Sequence, residues 1–124
     1  MSELNELALL VKLGIASPDQ AEQVGQATLA ACLTVARLAC RAGFIQYADI
    51  QDVAMNAVTR TYARCQTWDP TRAGWKTFAS CIAQSEVGNQ RRRYAHQGKV
   101  WAAAVKAADE SDLDDNNSEG MPTR

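Results

Sequence analysis

An all-α fold, a compact domain of four or five helices, is what these 124 residues predict. Three observations carry that expectation. Apolar residues recur at helical spacing in successive segments, start and stop signals bracket those segments, and no stretch alternates apolar and polar residues as a half-buried strand does. The length suits one hydrophobic core, and no internal repeat divides it.

Taken in order, Leu4, Leu7, Ala8 and Val11 define a first short helix from Glu3 to Leu13, with Leu9, Leu10 and Leu13 on its other side and Gly14 ending it. Ser17-Pro18-Asp19-Gln20 then reads as a helix start: a serine N-cap, proline at the first position, an acid in the first turn and a glutamine three residues after the cap. The helix it opens runs to about Ala42. It carries Val24, Ala27, Ala31, Val35 and Leu38 on one stripe and Leu29, Leu33, Ala36 and Cys40 on another, so it is covered on more than one side.

Gly43 stops that helix, and a third begins at Ala48 or Asp49. Its face is Val53, Ala57, Thr61 and Arg64, flanked by Ile50, Ala54, Val58 and Tyr62. Trp68-Asp69-Pro70 breaks the pattern, because proline disfavours helix at the residue before it. After Gly74 a fourth helix carries Trp75, Phe78, Ala79, Ile82 and Val87 and ends in Arg91-Arg92-Arg93; Gly98 punctuates before an alanine-rich turn or two from Val100 to Ala108. Residues 1–108 are therefore expected to form a single helical domain. Residues 109–124, dominated by acids, Asn, Ser and Gly, read as a disordered acidic tail.

The net charge of -1 conceals a strong segregation. Between Arg60 and Lys106 nine basic residues face two acids, a net +7, whereas six acids between Ala107 and Arg124 face one arginine, a net -5. A basic segment followed by an acidic one points to a polyanionic partner and a tail that competes for the same surface; a solvated helix face with a solubilising tail is the plainer alternative. Hydrophobic residues at 47% with charged residues at 22% are ordinary for a globular chain and imply no membrane role. Glu3 and Glu6 stand where a signal peptide needs a basic region, so a cytoplasmic location is expected. Cys32, Cys40, Cys65 and Cys81 form no C-x-x-C pair and His96 has no second histidine at ligand spacing, so neither a metal nor any other cofactor is implied. Carboxylate pairs, nucleophile-base pairs and phosphate loops are not apparent in the pattern, and the expectation is a protein that is not an enzyme.

The most informative stretch is residues 48–94. Trp68-Asp69-Pro70-Thr71-Arg72-Ala73-Gly74-Trp75-Lys76-Thr77-Phe78 resembles the junction of regions 2.2 and 2.3 of bacterial sigma factors, and the similarity continues without a gap to Ile82-Ala83. Asp49-Ile50-Gln51-Asp52 is similar to the opening of the polymerase-binding helix of region 2.2, with an alternative register beginning at Asp52-Val53 also open. Asn89 and Arg91 to Arg93 fall where region 2.4 meets promoter DNA. The resemblance implies a fold like sigma factor domain 2 and a protein that binds RNA polymerase core and promoter DNA near the −10 element. It assigns Asp49, Gln51, Asp52 and Asn56 to polymerase and Trp75, Lys76, Phe78, Asn89, Arg91, Arg92 and Arg93 to DNA. Glu86 and Gly88 depart from the family's preference for apolar or helix-forming residues there, and no helix-turn-helix pattern like that of region 4 follows residue 94.

Physical reading of the same residues leaves alternatives. Trp75 and Phe78 are either a stacking platform for unpaired bases or core aromatics sharing a stripe with Ile82, while Lys76 projects outward. Asp69 and Arg72 fit a rigid turn between helices. Arg91 to Arg93 can neutralise phosphates or complement a helix C-terminus. Two rival functions remain. One is a polymerase-binding inhibitor or sigma mimic; the other is a helical interaction module without nucleic acid, held together or paired as a homodimer through the apolar Ala27 to Ala42 segment.

Overall fold

A computed structural model describes the backbone of residues 2–115 and the side chains of residues 2–97, 99 and 102–107. These residues are all-helical, as expected, and contain no strand. The elements are α1 (Glu3–Lys12), α2 (Pro18–Arg41), α3 (Ile50–Ala63) and α4 (Trp75–Asp115), with 3-10 turns at Tyr47–Asp49 and Cys65–Thr67. The chain divides into two units, residues 1–91 and residues 92–124.

Local chemistry sets the helix ends. Ser17 and Gln20 form the anticipated capping box at the start of α2: the Ser17 N–H donates to Gln20 Oε1 at 2.8 Å and the Gln20 N–H to Ser17 Oγ at 3.2 Å. Gly14 and Gly43 adopt φ of 76° and 82°, the left-handed region that lets the chain turn away while the next amides close onto the last helical carbonyls. Thus Ile15 N–H donates to Leu10 and Phe44 N–H to Ala39, at 3.0 and 2.9 Å.

Residues 1–91 hold two clusters. In the larger, Ala31, Cys32, Ala36 and Ala39 of α2 meet Val53, Ala54 and Ala57 of α3 and Ala79, Ile82, Ala83 and Val87 of α4. Seven of these eleven residues are alanine, so the helix backbones can approach closely. This corrects the apolar stripe predicted for α2: the buried line runs Val24, Thr28, Ala31, Cys32, Ala36 and Ala39, whereas Leu38 is 56% exposed. Position around the helix decides here: Leu38 lies about 100° from Ala39 and off the buried line, while Leu29, Leu33, Val35 and Cys40 of the predicted stripes pack partly buried against the cluster. The second cluster joins Ala8 of α1, Val24 of α2, Trp68 and Trp75, with Leu4, Leu7, Val11 and Tyr62 packed around them.

Within residues 92–124, residues 92–115 are helical, and the helix passes through Gly98 without the break expected there. One glycine inside a helix costs only about 1 kcal/mol relative to alanine, and Ala102, Ala103 and Ala104 follow it as strong helix formers. Of the predicted tail, residues 116–124 lie outside the described residues.

Candidate interaction surfaces

Trp75 requires the main correction. Its ring is fully buried, and its indole N–H donates to Thr28 Oγ1 at 2.8 Å, whose own hydroxyl donates to the Val24 carbonyl. Trp68 meets it edge to face with centroids 5.2 Å apart, and Tyr62 and Phe78 complete the group at 5.9 and 5.6 Å. No face of Trp75 is open to a base. Phe78 is half-buried against both clusters, and Lys76 is exposed as expected.

The long reach of α1 explains this burial. Asn5 Oδ1 accepts the Trp75 backbone N–H at 2.8 Å, supplying from a distant helix the cap that Gly74 cannot. Lys12 Nζ donates to the Trp68 carbonyl at 2.6 Å, and Gln66 Nε2 donates to the Lys12 carbonyl at 2.8 Å. Apolar residues of α1 cover what these bonds fasten. Asp69 acts locally, as the turn reading anticipated: its carboxylate accepts from both the backbone N–H and the hydroxyl of Thr71. Those bonds hold its carboxyl below the usual range, with smaller help from Arg72 and Lys12.

On α3, Asp52 and Asn56 are exposed on one stripe with Met55, and Gln51 is exposed beside it. Asp49 differs. It is half-buried, one oxygen accepting the Gln46 N–H at 3.0 Å and the other an amide hydrogen of Gln90 at 3.4 Å, so it closes a turn and ties it to α4.

Along α4, Arg91, Arg92 and Arg93 are exposed, and Asn89 is half-buried with its amide donating to Glu86 Oε1 at 3.3 Å. Glu86, only 5% exposed, accepts from Arg60 Nη1 at 2.8 Å. That pair explains the departure at Glu86: the charge can lie in the core because Arg60 of α3 neutralises it. It also removes Arg60 from the basic surface counted from sequence. The guanidinium of Arg91 stacks 4.3 Å from the centroid of the Phe44 ring. Beside that ring lies an apolar groove of about 360 Å³ lined by Val35, Leu38, Ala42 and Val87 among others.

Phe44, Tyr47, Arg37 and Arg41 are exposed, and sequence reasoning singled out none of them. The aromatics sit in a connector and the arginines precede the basic segment, so neither pattern singled them out. Burial pushes the Cys32 thiol up, and all four cysteines are free. Among the described residues no cluster of His, Cys, Asp or Glu could hold a metal ion, and no helix is long and apolar enough to cross a membrane.

No protein-family model matches the chain, and neither a curated protein nor a solved structure matches it.

Proposed function

We propose that this is a sigma-like transcription protein that binds RNA polymerase core through the outer face of α3 and promoter DNA through α4 and its surroundings, with no chemistry of its own. The resemblance over residues 48–94 is the starting point. The observation that carries the reading further is the sorting of those residues: Asp49 and Trp75 hold the helices together, whereas Asp52, Asn56 and Lys76 are exposed, as is Arg91 where it stacks on Phe44. This sorting favours the register beginning at Asp52-Val53, with Asp52 and Asn56 as polymerase contacts and Asp49 as a positioning residue.

Capture of purified core polymerase by the immobilised full chain tests the proposal. Capture is expected, and Asp52→Lys with Asn56→Lys is expected to abolish it while leaving helical dichroism unchanged, because both side chains are exposed. Failure of the wild-type chain to capture core enzyme overturns the polymerase reading and leaves a helical interaction module. Transcription from a supercoiled template then separates a promoter-opening protein from an inhibitor, the reading that the net -5 of residues 107–124 favours.

A further inference from the structure

Arg60 is paired with Glu86 and Arg91 stacks on Phe44, but two arginines of α2 have no such engagement. Arg37 and Arg41 are exposed, one helical turn apart on the same face, and among the described residues neither has a hydrogen-bond or ion-pair partner. Both line a groove of about 560 Å³ where the end of α2 meets the start of α3. Leu33 and Cys40 of α2 and Ile50 of α3, all half-buried against the larger cluster, give this groove its apolar lining. Tyr47, 84% exposed, lines it too, and no acidic side chain does.

The walls of the groove are fixed by the fold. Two of them are helices packed on one another through the larger cluster, and Ile45, 5% exposed, anchors the connector between them. Asp49, the acid nearest in sequence, accepts from Gln46 and from Gln90 of α4, which holds the turn carrying Tyr47 and leaves both arginines unengaged. Arg41 stands in the last turn of α2, where a cation complements the helix dipole while its N–H groups stay open to a ligand. A groove formed in advance in this way costs a ligand little ordering of the protein.

We infer that this groove is a docking site for an acidic peptide segment of a partner protein, with its carboxylates on Arg37 and Arg41 and an apolar side chain against Leu33, Cys40 and Ile50. Guanidinium groups present their N–H donors in a fork that matches a carboxylate, and two of them without an acid among the lining residues select an anion. The apolar lining decides which anion. A nucleic-acid strand brings charge, but it holds by stacking successive bases on aromatic side chains, and Tyr47 is the one ring that lines the groove. A peptide brings carboxylates and aliphatic side chains together. Asp52, Asn56 and the cations of α4 do not line this groove, so its occupant is independent of the polymerase and promoter contacts proposed above.

Fluorescence anisotropy of a fluorescein-labelled peptide of glutamates interrupted by leucines, titrated with the full chain, provides the test. The salt is set at about 0.1 M, where charges more than roughly 10 Å apart are largely screened. Wild type is expected to bind this peptide and to bind its glutamine counterpart roughly tenfold more weakly, a few-fold for each exposed ion pair lost. Serine in place of leucine in the peptide should weaken binding roughly fivefold, since a partly buried leucine gives up its apolar contact. Arg37→Ala with Arg41→Ala should lower affinity for the acidic peptide roughly tenfold and leave helical dichroism unchanged, both side chains being exposed. Arg64→Ala with Arg72→Ala removes the same charge from exposed positions outside the groove and should change affinity by no more than about twofold. Absence of binding by wild type, undiminished binding without Arg37 and Arg41, or equal losses in the two arginine pairs overturns the docking site. Tighter binding of an oligothymidylate with the same dependence on Arg37 and Arg41 also overturns it and makes the groove a nucleic-acid site. Sedimentation as a dimer that Arg37→Ala with Arg41→Ala dissolves overturns it in favour of a contact between copies of the chain.

Discussion

Two aromatic regions of this molecule share composition and differ in fate. Trp68, Trp75 and Phe78 lie in the stretch whose pattern invites a role in base stacking, yet α1 and α2 close over the tryptophans. Phe44 and Tyr47 lie in a connector with no pattern, yet their rings face solvent beside arginine. Spacing along a helix therefore says that rings share a face. It does not say whether another element covers that face.

The sharpest way to break this contrast is truncation on each side. Trp75→Ala should destabilise the chain by about 3–5 kcal/mol, since it empties a space at the centre of the second cluster and strands Thr28. Tyr47→Ala should change stability by no more than about 0.5 kcal/mol, as surface substitutions do. Urea unfolding measures both; similar losses at the two sites would dissolve the distinction between a covered ring and an exposed one.

A middle-sized effect probes how the buried region tolerates charge. Arg60→Ala leaves Glu86 buried without its cation and should cost about 2 kcal/mol, below the value for a fully buried pair because Arg60 is 26% exposed. Adding Glu86→Leu to that variant should recover part of the loss, because an apolar side chain there removes the desolvated charge rather than unpairing it. Thermal melts of the single and double variants decide this.

The smallest effect belongs to Asp69, which is exposed and whose carboxyl is held low by Thr71. A carboxylate with a folded pKa below its unfolded one stabilises the fold above the unfolded value. It gives that stabilisation up as pH falls through the folded one. Wild type should therefore lose stability on acidification below about pH 4, the ordinary range for aspartate, and Asp69→Asn should lose less across the same window. Parallel pH profiles for the two proteins would show that the Thr71 bonds do not favour the charged form.

Much of the backbone was legible in advance because its causes are local. Ser17 and Gln20 cap each other across three residues, Gly14 and Gly43 supply a backbone conformation next to the helices they end, and Pro70 acts on its neighbour. Such effects depend on a few consecutive residues, so the string of letters contains them whole. Tertiary structure decided what each side chain does. Asn5 caps Trp75 from 70 positions away, Thr28 takes its indole N–H from 47, and Glu86 meets Arg60 across 26. Whether a ring is covered, or a charge paired, depends on which distant element folds against it, and periodicity along one helix carries no record of that partner.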